Sequence, residues 1–194
     1  MKSYIFTLSL LLLLLIAAMG AHASVQDLAF INSGYILKHA DLNQLIAFSL
    51  KYDVRIEHLQ NWIMGESSDN PHAVNPVTHD RGYCQHGHWN YHVRKYGKKG
   101  KKYSIWNPSD NLEIALAILG DNIETYGIYH GFIAYNIGRS RVARGEILQD
   151  GIEYVNRIFP EQTEKSSVVY FGDNGRMVLT FREQELYDKR GLRV

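Results

Sequence analysis

Gly65-Glu66-Ser67-Ser68-Asp69-Asn70-Pro71 is where the chain changes character. Ahead of it, Ile56, Leu59 and Ile63 recur at helical spacing, which predicts a helix from about Arg55 to about Gly65. Glu66 then falls at the C-terminal end of a helix whose apolar face enters a core, with Trp62 and Met64 close by. Behind it the chain turns polar and rich in Asn and Pro. Working outward, Leu42, Leu45, Ile46 and Leu50 mark an earlier helix with Asp41 as its N-cap. Residues 67–105 read as irregular, and a long irregular stretch in a compact domain is usually functional. Order returns at Asn107-Pro108, an N-cap followed by proline at the first helical position. Leu112, Ala115, Leu116, Leu119 and Ile123 continue that helix to Gly127. A short helix from Tyr129 to Ile137 follows, then a last one carrying Ile152, Val155 and Ile158 and closed by Pro160. Past Pro160 the period becomes two. Ser167–Phe171 and Arg176–Phe181 flank Gly172-Asp173-Asn174-Gly175, a hairpin signal. The expected fold class is mainly α (α+β): a helical domain with a small C-terminal β-hairpin.

The first 23 residues read as a signal peptide. Lys2 supplies a positive end, an apolar run follows, and Ala21-His22-Ala23 offers small residues at peptidase spacing. An uncleaved anchor is the alternative, although the run is short for a bilayer. No Cys stands near the cleavage region, which argues against a lipoprotein. Removing 23 of 194 residues leaves 171, enough for one domain, with residues 24–40 as an N-terminal extension, 41–160 as the main domain and 161–194 as the hairpin extension. Lys2 is the only charge lost, so 20 basic and 20 acidic residues remain and bulk charge names no partner. A single cysteine, Cys84, rules out an internal disulfide.

A carboxylic acid that must protonate a poor leaving group needs a pKa raised toward the working pH, and desolvation at a helix end raises it. Alone, Glu66 reads as an exposed helix-end residue. Its company differs: Gly82-Tyr83-Cys84-Gln85 after Asp80-Arg81, Asn107-Pro108 with Asn111, Ala134-Tyr135-Asn136 with Gly138, and Tyr154-Val155 with Ile158. With Glu66-Ser67-Ser68-Asp69-Asn70-Pro71-His72-Ala73-Val74, these five motifs stand in the order and spacing of one family. Over residues 42–160 the chain resembles the soluble lytic transglycosylases and goose-type lysozymes, whose lysozyme-like fold cuts peptidoglycan.

The resemblance implies a role for each matching residue. Glu66 would be the sole acid/base, forming 1,6-anhydroMurNAc ends without consuming water. Ser67 would orient the site, Gln85 would contact the glycan or its peptide stem, and Tyr135 and Asn136 would position the sugar. Tyr154 would hydrogen-bond the carboxyl. Read singly, either tyrosine is a core or rim aromatic. Two-carboxylate glycosidases need a second acid. Asp69, Asp80 and Asp110 are candidates, and none stands where the resemblance demands one. A hydrolytic muramidase and a catalytically weak wall-binding or assembly protein are the alternatives. No cofactor is implied. The partners implied are peptidoglycan glycan strands and secretion, conjugation or pilus machinery, in the periplasm or cell envelope or outside the cell, with membrane contact only through the signal peptide.

Tyr83-Cys84 departs from the family's Leu-Met. Tyr83 could reshape a subsite. Cys84 reads as a small buried hydrophobe, with redox sensitivity as the sharper alternative. His72, His79, His86, His88 and His92 invite a metal reading, but no Cys pair or His-Glu-x-x-His supports it, and no metal is expected. The cations from Arg94 to Lys102 read as a solvated loop or a weak attraction to an anionic polymer, not as a nucleic-acid site.

Overall fold

The computed structural model describes residues 29–32, 34–147, 149–160, 170–171 and 177–178. The expected signal peptide, the start of the expected N-terminal extension and nearly all of residues 161–194 lie outside the described residues. Among the described residues, 29–32 are helical and seven further helices follow in order: α1 (Leu42–Tyr52), α2 (Ile56–Ser67), α3 (Trp89–Tyr96), α4 (Pro108–Tyr126), α5 (Ile128–Ile137), α6 (Arg139–Ala143) and α7 (Gln149–Ile158). The strands β1 (Tyr170–Phe171) and β2 (Met177–Val178) pair antiparallel. No more of the expected hairpin is described, so the established class is mainly helical.

The helix ends follow from local chemistry. The Asp41 carboxylate accepts from the backbone N–H groups of Asn43 and Gln44 at 3.0 and 3.4 Å, capping α1. The Asn107 side chain accepts from the Asp110 N–H at 3.1 Å ahead of Pro108 at the start of α4. At Gly131 on α5 an added Cβ would lie 2.7 Å from Ile123 of α4, so this glycine lets the two helices pack closely. Leu45, Leu59, Trp62, Ile63, Leu112, Ala115, Leu119 and Phe132 are the centre of the core, all fully buried. α7 packs on both α2 and α5, which brings its face against the end of α2.

The irregular expectation for residues 67–105 is corrected at α3. No α3 residue is buried. Trp89, Val93 and Tyr96 fall at i, i+4 and i+7 and form its half-buried face, a short stripe among polar and basic residues. Polar bonds to α4 add to it: Tyr96 Oη donates to Asp121 at 2.7 Å and Lys95 Nζ at 3.2 Å. Between α2 and α3 the chain forms isolated bridges, Val74 with Arg81 and Arg81 with His86. Residues 34–40 lie along α2, where the Ile36 N–H donates to Gln60 Oε1 at 2.8 Å and Leu37 enters the core.

Candidate active site

Glu66 sits in the last turn of α2, one residue beyond the expected helix end. It is half-buried, and the Tyr154 hydroxyl of α7 donates to its Oε1. Burial drives its pKa up to about 7. The bond from Tyr154, the nearby Trp62 indole and the Arg157 charge oppose the rise, while the Asp80 charge adds to it. The indole N–H of Trp62 favours the ionised carboxyl without completing a hydrogen bond of its own. Burial also raises the Tyr154 hydroxyl well above its ordinary pKa, so it acts as a donor.

The Gly82–Gln85 turn lies beside this carboxyl. Gly82 has φ +82°, and a Cβ there would lie 2.3 Å from Asn111 Nδ2 and 2.5 Å from the Ile105 carbonyl, so only glycine fits. Asn111 is fully buried and organises the turn. Its Oδ1 accepts from the Cys84 N–H at 2.8 Å, and its Nδ2 donates to the Ile105 carbonyl at 2.9 Å. From the other side the Tyr135 hydroxyl donates to the Cys84 carbonyl at 2.7 Å, and its ring stands edge-on to Trp62 at 5.1 Å. Thus Glu66, Tyr154, Trp62, Tyr135 and the turn form one connected group.

The remaining expected site residues are placed as follows. Ser67 is buried next to Glu66, and its hydroxyl has no partner among the described residues. Gln85 is half-buried and takes φ +51°. Its amide donates inward to the Gly82 and Ala73 carbonyls at 2.9 and 3.3 Å, so it holds the loop. Asn136 is exposed in the last turn of α5. Of the three candidate second carboxylates, Asp69 is engaged by Tyr83 and the Lys38 backbone, and Asp110 by Lys101 and the Ser104 backbone. Asp80 accepts from Thr78 Oγ1 at 2.6 Å, and it is the one of the three whose charge bears on Glu66. Its place directly before the Gly82–Gln85 turn was the available signal.

Tyr83 is fully buried, so its bulk is absorbed by the core. Cys84 is fully buried, and burial holds its thiol well above the ordinary pKa. His86 is buried, with Nε2 3.2 Å from the Asn111 carbonyl, and burial pushes its pKa down to about 4. Among the described residues no three His, Cys, Asp or Glu side chains gather as ligands. In the basic stretch, Lys95, Lys98 and Lys101 pair with Asp121, Glu113 and Asp110 of α4. No described helix is long and apolar enough to cross a membrane.

A family model described as the transglycosylase SLT domain matches residues 45–152. That span is more than half of the chain and includes Glu66, Ser67, Gln85, Tyr135 and Asn136; Tyr154 lies two residues past its end. No curated protein and no solved structure matches significantly.

Proposed function

The chain belongs to the transglycosylase SLT domain family, and we propose that it is an exported lytic transglycosylase cleaving the MurNAc-GlcNAc β-1,4 bond of peptidoglycan with Glu66 as single acid/base. The observation that carries this reading is the Glu66 carboxyl, held half-protonated near neutrality by burial and fixed in direction by Tyr154. As general acid, Glu66 gives its proton to the bridging oxygen as the glycosidic bond breaks. As carboxylate it then takes the proton of the C6 hydroxyl, whose oxygen closes on C1. One bond breaks, one forms, and Glu66 ends protonated as it began. Trp62 and Tyr135 wall off water, Ser67 orients the site from its buried place beside Glu66, Asn136 offers polar contacts to the sugar, and Gln85 shapes the loop. The leader at residues 1–23 would deliver the protein to the periplasm or envelope. Secretion, conjugation or pilus assembly would use such an activity to open a path through the wall.

A second reading is hydrolysis, and the observation favouring it is the Asp80 charge acting on Glu66. A retaining or inverting glycosidase needs a second carboxylate opposite the acid. Mass spectrometry of muropeptides released from purified sacculi separates the two. Anhydro ends from the wild type, absent with Glu66→Gln, support the transglycosylase. Reducing ends that vanish with Asp80→Asn support hydrolysis. No release by a folded, sacculus-binding protein supports an assembly role.

A further inference from the structure

Glu66 stands between two fastenings that hold residues 34–40 against α2. The first is Gln60, six residues before it on α2. Gln60 Oε1 accepts from the Ile36 N–H at 2.8 Å, and its Nε2 donates to the Gly34 carbonyl at 3.2 Å. The second is Asp69, three residues after Glu66. Its carboxylate accepts from the Lys38 N–H at 2.8 Å, the His39 N–H at 3.4 Å and the Tyr83 hydroxyl at 2.6 Å. Leu37 is buried between the two. Burial alone would raise the Asp69 pKa, but the donors from Tyr83, Lys38 and His39 outweigh it and lower it, so Asp69 is an anion held by three bonds.

The backbone gives these bonds a task. Ser68 and Asp69 both lie in the left-handed region, with φ +54° and +62°. Non-glycine residues resist that region, and two in succession persist only where the surroundings hold them. Tyr83 supplies that hold from a rigid base: it is fully buried, and its neighbour Cys84 is tied through N–H to Asn111 and through C=O to Tyr135. We propose that Tyr83 and Asp69, with the strap of residues 34–40, form a latch that positions the Glu66 carboxyl, making Tyr83 and Asp69 positioning residues for the reaction. Released from Tyr83, the left-handed pair relaxes, the last turn of α2 loosens, and Glu66 swings toward water and away from Tyr154. The tyrosine thus replaces the family's leucine with a hydroxyl that reaches across to the acid's own loop. The inference rests on Glu66 being the acid/base.

The test uses the full exported chain with Tyr83→Phe, Asp69→Ala and Asp69→Asn, each checked for fold by circular dichroism. Two readouts are taken: kcat and KM on soluble glycan strands, and the Glu66 titration by 13C NMR, its signal assigned by loss in Glu66→Gln. Groups bearing on that titration are Tyr154 and Arg157 of α7, Trp62 of α2, and Asp80. The latch requires Tyr83→Phe and Asp69→Ala to lower kcat about tenfold, with KM nearly unchanged. It also requires the Glu66 midpoint to fall by about one unit as the carboxyl gains water. Asp69→Asn, which keeps an acceptor for Tyr83, should recover most of the rate. An unchanged midpoint and kcat in both disrupting variants, with only the melting temperature lowered, overturns the latch and leaves a structural fastening. Should Glu66→Gln retain activity, the functional reading fails instead, while the NMR midpoint still decides whether Tyr83 and Asp69 hold the carboxyl in place.

Discussion

Glu66 on α2 and Glu113 on α4 are the same residue in opposite electrical surroundings. Each accepts a tyrosine hydroxyl, from Tyr154 and from Tyr103 respectively. For both, burial is the largest influence and pushes the pKa up. At Glu113 that push is overcome by the Lys101 and Lys98 ammonium groups, at 2.7 and 2.9 Å, together with Tyr103, and the pKa falls to about 2. At Glu66 the opposing cation is Arg157, the weakest of the named influences, and the pKa stays near 7. A tyrosine hydroxyl does not keep a carboxyl protonated, since both sites have one. What sets Glu66 apart is burial without a lysine.

The hardest test of that contrast is removal of the Glu66 proton. Glu66→Gln should lower the rate of muropeptide release about 10³-fold, the range general acid catalysis supplies. In the wild type the rate should fall as pH rises through about 7, where the acid form is lost. The same substitution should act on stability with the opposite benefit. The folded pKa of Glu66 is raised, so its contribution is fully present below the unfolded value of 4.5 and is lost as pH rises through about 7. Glu66→Gln has no such loss. Its advantage over the wild type in urea titrations should grow between those pH values and reach on the order of 3 kcal/mol at pH 8. Equal stability of the two proteins at pH 5 and pH 8 would mean that Glu66 is not desolvated.

The other half of the contrast gives a smaller effect. Glu113 has a depressed folded pKa, so its contribution is present above 4.5 and is lost as pH falls through about 2. Its lysines are partly exposed, so screening reduces what they contribute. Lys101→Met should cost about 1 kcal/mol at pH 7, less in high salt and nothing near pH 2, with lysis unchanged. A change in lytic rate would join the two regions that the structure keeps apart.

Much of this arrangement was legible where the chemistry is local. Asp41 and Asn107-Pro108 announce their helices because a cap bonds its own neighbours. Periodicity put Glu66 at a helix end near Trp62 but, taken alone, read it as exposed; only the accompanying motifs pointed to a buried acid. Contacts across the chain left no such trace. Tyr154 meets Glu66 across 88 residues, a pairing that periodicity does not give and that only the family resemblance implied. The Tyr83 hydroxyl looked like extra bulk at a subsite, because its partner Asp69 is found only once α2 ends in two left-handed residues. Gln85 looked like a sugar ligand, yet its amide turns inward to carbonyls. α3 is only two turns long, and its half-buried stripe of Trp89, Val93 and Tyr96 is too short to stand out among histidines and basic residues, while its bonds to Asp121 are long-range.

Burial should silence Cys84 just as it raises the Glu66 pKa. The thiol is fully enclosed, and both burial and the Glu66 charge oppose its ionisation. A thiolate is the reactive form, so a thiol held protonated and out of solvent is inert. A soluble disulfide reagent should therefore leave the native protein unlabelled and react once urea unfolds it. Mild oxidant should change neither lysis nor monomer size. Cys84→Ala should keep most of the activity and lose about 1 kcal/mol of stability, the cost of a small cavity beside Trp62 and Tyr135. Fast labelling of the folded protein at neutral pH would show that the turn opens to solvent. An opening there would wet the Glu66 carboxyl as well, and its midpoint near 7 would be lost with it.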